Sequence, residues 1–154
     1  VAVIEFKSVG TKIDDTLPVS GSLPPIGIKT PLRFGTEGLG IFAMHSSLEN
    51  QLADNLRNLL LTNHGERMGL YDFGANLRPL TAEFEAQEDF DSNAILRIKE
   101  AAARYMPFIA LKTFESSFDS FNNQHTAKII ITVIYDIPTI NVIGKQIKVT
   151  LHVM

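Results

Sequence analysis

Leu48, Leu52, Leu56, Leu59 and Leu60 recur at helical spacing, with Glu49, Asn50, Asp54, Asn55, Arg57 and Asn58 between them. The period predicts an amphipathic helix of about four turns, leucines inward and polar residues toward water. Ser46-Ser47 can accept from the free amides of the first turn, and Asn63-His64-Gly65 supplies a stop, with Gly65 as a left-handed cap. A second helix is predicted to begin near Asp91 or Ser92. Ile95, Ile98, Ala102, Tyr105 and Met106 line one side of it, Arg97, Lys99, Glu100 and Arg104 the other, and Pro107 blocks its continuation. Between the helices Glu83, Glu85, Glu88, Asp89 and Asp91 surround Phe84 and Phe90, and this stretch reads as an exposed loop with apolar anchors.

From Phe108 onward the period becomes two. Strands are predicted over 108–118, 127–137 and 145–153. In the last, Ile147, Val149, Leu151 and Val153 alternate with Gln146, Lys148, Thr150 and His152, so one face is buried and the other wet. In the middle strand Ile129, Ile131, Val133 and Tyr135 face one way and Ile130 and Ile134 the other, the mark of a central strand covered on both sides. The fold class is therefore α+β, one small domain over residues 45–154 with two main helices and an antiparallel C-terminal sheet.

Residues 1–44 read differently. The first 45 residues hold six of the ten glycines and four of the seven prolines, so after a short strand near residues 2–8 the chain is expected to run as an extended arm. Its apolar residues Leu17, Leu23, Ile26, Ile28 and Leu32 suit a path along a surface, its own or a neighbour's.

The chain has 154 residues, ordinary globular composition and a net charge of −3, which fits one domain with a real core. Without cysteine there is no disulfide, thiolate or Cys-ligated metal chemistry. His45, His64, His125 and His152 include no pair at i, i+4 spacing for a metal. No cofactor, nucleic-acid or membrane partner is expected. Lys128, Lys145 and Lys148 make the C-terminal end mildly basic without the Arg and aromatic clustering of a nucleic-acid footprint. The chain has neither a secretion-signal pattern at its start nor an apolar run of about eighteen residues.

A glycosidase needs two separated carboxyls, one with a raised pKa, and the acidic residues of 83–91 sit together in a polar run instead. No G-x-S-x-G surrounds any serine, and Gly35-Thr36-Glu37-Gly38-Leu39-Gly40 lacks the G-K-[ST] ending of a phosphate loop. His64 reads as a helix-terminal residue. The distinctive run is Leu59-Leu60-Leu61-Thr62-Asn63-His64-Gly65-Glu66-Arg67, followed by Tyr71-Asp72-Phe73-Gly74 and Leu77. It combines a helix end, a tight turn with an acid-base pair, and an aromatic-glycine turn. Arg67 or Asp72 ties the loops together or binds a partner's backbone.

With Ile26-Gly27-Ile28-Lys29-Thr30-Pro31-Leu32-Arg33-Phe34 ahead of it, this run resembles the W-type baseplate wedge family of contractile phage tails, whose relatives include a small baseplate component of the type VI secretion system. The likeness spans roughly residues 26–115. It implies a structural virion protein of the tail baseplate, assembled in the host cytoplasm, and no enzyme. Its place would be the inner ring around the tail tube, bound to other baseplate wedge proteins and to tube or hub proteins. The sheet would resemble the strand-exchange domain of the tail sheath protein and serve as platform for the first sheath ring.

Residues implied at the wedge-partner interface are Arg67, Asp72, Phe73, Tyr105, Met106, Pro107 and Phe108. The family's glutamate-proline-arginine triplet after an aromatic is here Met106-Pro107-Phe108, so both charges are replaced by apolar side chains and a drier interface is expected. The strand carrying Lys145, Ile147, Val149, Leu151 and Val153 either docks the sheath or closes the protein's own sheet. Some relatives carry lysozyme-like labels, and a tail-associated cell-wall hydrolase is the alternative function.

Overall fold

A computed structural model describes residues 24–35, 41–83, 87–120 and 127–152. The elements run β1 (Gly27–Ile28), β2 (Met44–His45), α1 (Leu48–Leu61), α2 (Leu80–Glu83), α3 (Gln87–Tyr105), β3 (Ala110–Ser120), β4 (Ala127–Ile137), a 3-10 turn at Pro138–Ile140 and β5 (Val142–His152). The α+β class and the antiparallel sheet β3-β4-β5, with β4 in the centre, agree with the sequence reading. The expected strands near residues 2–8 and at Val153 lie outside the described residues.

The sheet's inner face follows the period of two. Ile129, Ile131 and Val133 of β4 stand opposite Leu151, Val149 and Ile147 of β5, and all six are buried with Tyr135. Leu56, Leu59 and Leu60 of α1 and Phe90, Ala94, Ile98 and Ala101 of α3 complete one core against that face, so each helix presents the stripe its leucine or alanine spacing dictates. On the outer face Ile130 and Ile134 are only half-buried. Among the described residues the expectation of a strand covered on both sides is met on one side.

Three local readings are corrected. Ser47 makes no side-chain cap bond at the start of α1; its carbonyl accepts from the Gln51 amide at 3.2 Å. Helix α1 ends at Leu61, and Gly65, at φ +86°, lies beyond it in the following loop, where its amide donates to the Tyr71 carbonyl at 2.7 Å. The acidic stretch is helical on both sides of residues 84–86. Glu83 ends α2, and α3 starts at Gln87, so Glu88 and Asp89 sit in its first turn, where the helix dipole favours negative charge. Asp91 accepts from the Ser116 hydroxyl at 2.5 Å, fastening α3 to β3.

In the described part of the arm, residues 26–35 and 41–45 pair as a narrow antiparallel ribbon, with Gly27 opposite His45, Ile28 opposite Met44, and a bridge between Phe34 and Phe42. The ribbon is fastened to α1 through Asp54, which accepts from the Thr30 amide at 2.8 Å, contacts His45 Nε2 at 2.7 Å and pairs with Arg57 at 3.1 Å. Asp54, expected on the wet face of α1, is 8% exposed because the ribbon covers it. Burial works against its charge, and the bonds from His45 and Thr30 outweigh that, holding its carboxyl below the usual range.

Candidate assembly interface

The loop after α1 satisfies the helix's terminal carbonyls. The Ala75 amide donates to the Leu59 carbonyl at 2.9 Å and the Asn76 amide to the Thr62 carbonyl at 3.3 Å, closing groups that a helix end leaves open. This requires close approach at Gly74, at φ +113°, where an added Cβ would stand 2.1 Å from the Thr62 carbonyl oxygen. Glu66 accepts from the Asn63 amide and side chain, both at 2.8 Å, and these bonds lower its pKa.

With the loop fixed, Phe73 meets the ring of Tyr105 edge-on at 4.9 Å between centroids, and the Arg67 guanidinium lies 4.3 Å from the Phe73 centroid. Asp72 accepts from the Tyr105 hydroxyl at 2.9 Å and pairs with Arg104. The Tyr105 hydroxyl, helped by Arg104, holds the Asp72 carboxyl below its usual range. Burial and the bond to Asp72 push the Tyr105 phenol upward. Asp72 thus ties the loop to α3 and not to Arg67. Neither Arg104 nor this link was singled out by sequence, because the partners are distant in the chain.

Arg67, Phe73, Tyr105, Met106 and Phe108 border one open groove of about 780 Å³, floored by Leu59 and edged by Asn55, Asn58 and Thr62. The adjoining loop holds Met68 at 99% exposure, with Leu70 and Tyr71 also exposed. Pro107 lies in the exposed turn after α3. Met106, at 6% exposure, packs largely in the chain's own core while still lining the groove, and Phe108, at 37%, is the larger apolar surface of that triplet. The physical reason is the first turn past α3, where the Met106 amide still bonds the Ala102 carbonyl at 2.8 Å and keeps the side chain on the helix's inner stripe.

Strand β5 is bounded by β4 on one side and has no strand on the other among the described residues. Ile147, Val149 and Leu151 turn their side chains into the core. What β5 offers outward is its backbone rim with Gln146, Lys148, Thr150 and His152. Lys145 is exposed and pairs with Glu49 of α1. Val153 lies outside the described residues.

Among the described residues the carboxyls whose acidity departs from the ordinary value, Asp54, Glu66, Asp72 and Asp136, are all shifted downward, opposite to the need of a general acid. Among the described residues no three His, Cys, Asp or Glu could hold a metal ion, and no helix is long and apolar enough to cross a membrane.

No protein-family model and no curated protein matches the chain. Solved structures do, among them the following two. A chain of the anti-feeding prophage baseplate, seen by electron cryo-microscopy, is 22% identical and superposes over 73% of this chain and 86% of that one, with a TM-score of 0.55. A protein from Geobacter sulfurreducens described as a candidate tail lysozyme is 20% identical over 71% of this chain and 93% of that one, with a TM-score of 0.51. At these identities the likeness establishes a shared fold: the chain has the α+β fold of a chain in the anti-feeding prophage baseplate.

Proposed function

We propose that this protein is a structural subunit of a contractile-injection baseplate, acting as an inner-ring wedge component in a phage tail or a related particle. In this reading the groove between the α1 end and the α3 end receives a larger wedge subunit, and the outer rim of β5 receives a strand from the first sheath ring. Tube or hub proteins would lie within the ring, and assembly would take place in the host cytoplasm.

The observation that carries the proposal is convergence. Arg67 and Phe73 of the loop after α1 and Tyr105 and Phe108 at the end of α3, distant from them in the chain, border one groove, beside a loop with fully exposed Met68. Aromatic and Arg side chains around a concave surface are the composition of interaction hot spots. The fold shared with a baseplate chain adds support.

A cell-wall hydrolase is the competing reading, favoured by the description of the second neighbour. It lacks a desolvated carboxyl pair with a raised pKa among the described residues. The deciding experiment is to produce the chain together with the products of its neighbouring genes and image the particles. Phe108→Asp and Arg67→Glu, both at exposed positions, are expected to keep the monomer folded and abolish its incorporation. Normal incorporation of both variants would remove the groove from the proposal.

A further inference from the structure

The groove between the ends of α1 and α3 leaves specific polar groups open. Leu59 lies at its base, Phe73 and Phe108 line it with rings, and Asn55 and Asn58 of α1 edge it. The Asn58 side chain makes no hydrogen bond among the described residues. Asn55 Oδ1 accepts from Gln51 Nε2 at 2.9 Å, while its own Nδ2 has no acceptor there. Arg67 sits 4.3 Å from the Phe73 centroid and has no ion-pair partner among the described residues. Its ring contact restrains the guanidinium without using any of its five N–H donors.

The neighbouring anions are already engaged. Both oxygens of Glu66 hold Asn63, each at 2.8 Å, and Asp72 holds the Tyr105 hydroxyl and Arg104. Arg67 is thus the charge at this groove without a counterion in the described chain, and it lies among apolar rings.

These groups narrow the occupant. A purely apolar segment or a lipid tail would cover Arg67 and the two amides without satisfying them, which is costly. A single unpaired cation on a chain of net charge −3 makes no track for a phosphate backbone. Two copies packed groove to groove about a twofold axis would set one Arg67 against the other, which disfavours self-association. A protein segment that carries a carboxylate beside an apolar or aromatic side chain satisfies all the groups together. Its apolar side chain enters beside Phe73 and Phe108, and its carboxylate takes the Arg67 fork in bidentate fashion. The Asn55 and Asn58 amides meet polar groups of the same segment.

We infer that the groove selects its partner through an acidic residue, an Asp or Glu that pairs with Arg67 next to an apolar anchor. The inference rests on the reading of the groove as an assembly interface and names the chemistry that the interface recognises.

The test replaces Phe108 by the photo-crosslinking residue p-benzoylphenylalanine, which keeps an aromatic ring at that position. The full chain is produced together with the products of its neighbouring genes, and adducts are mapped by mass spectrometry. The expected adduct joins Phe108 to a segment of another protein with an Asp or Glu within a few residues of an apolar side chain. Arg67→Glu should lower its yield at least about tenfold. Changing the partner's carboxylate to Arg should restore it, a rescue that loss of the Phe73 contact alone cannot explain. Arg67→Gln adds no charge and should lower the yield in the same direction, so the test stands even where Arg67→Glu fails to fold. An acidic segment from a protein outside the baseplate would leave this inference standing and remove the baseplate reading. A baseplate protein joined through a segment without a carboxylate would do the reverse. Adducts to a second copy, to lipid or to nucleic acid would overturn the inference, as would no adduct, a yield indifferent to both Arg67 variants, or a failed charge swap.

Discussion

Replacing Gly74 by alanine tests how the groove is built. The backbone there, at φ +113°, is one that a residue with a Cβ rarely adopts, and the added methyl would stand 2.1 Å from the Thr62 carbonyl oxygen and 2.7 Å from its carbon. Both obstacles are backbone atoms. Relief requires the loop to retreat, which strains the bonds from Ala75 to Leu59 and from Asn76 to Thr62. The conformational cost is about 1–2 kcal/mol and each weakened bond adds about 1 kcal/mol, roughly 3–4 kcal/mol in all. At about 2–4 °C per kcal/mol for a chain of this size, the melting temperature should fall by roughly 10 °C. Gly144→Ala is the control: it also has positive φ, at +68°, but nothing lies within 4 Å of its added Cβ, so it bears only the conformational cost of about 1–2 kcal/mol. Both variants are followed by circular dichroism on heating and by urea titration. Equal shifts for the two would refute the reasoning, because the close approach at Thr62 would then contribute nothing.

Asp54→Ala should lower stability by about 1–3 kcal/mol, read from the urea midpoint, because the Thr30 amide and His45 lose their acceptor. The folded-state pKa of Asp54 lies below its unperturbed 3.8, so its contribution is complete above that value and is lost as pH falls through the folded pKa. The wild type should accordingly lose stability more steeply than Asp54→Ala below about pH 4, and parallel acid limbs would count against the latch. Met106→Ala should destabilise the isolated chain by about 2–4 kcal/mol as a core truncation, whereas Phe108→Ala should cost it far less and act on partner binding; the reverse ranking in urea melts would return Met106 to the interface. Purified protein is expected to release nothing from peptidoglycan, and turnover that disappears in both Glu83→Gln and Glu85→Gln would establish the hydrolase.

The sequence by itself determined the elements whose side chains answer to a local period. The leucine stripe gave α1 within a residue of its observed limits, and the two-residue alternation after Phe108 gave all three strands of the sheet and the central position of β4. Local pattern suffices there because a stripe or an alternating face has only one way to bury itself. It failed where burial comes from a distant segment. Asp54 carries the sequence signature of a solvated helix position, and only the ribbon carrying Thr30 and His45 encloses it. Glu88 and Asp89 look like a loop by charge, yet the helix dipole and the packing of Phe90 make them the first turn of α3. Met106 falls on the apolar side of the predicted second helix, and its bond to Ala102 keeps it on that inner stripe one residue past the helix end. The groove could not be read from spacing at all. Phe73 and Tyr105 are far apart in the chain, and their contact exists because Gly74 lets the loop settle against the carbonyls that end α1.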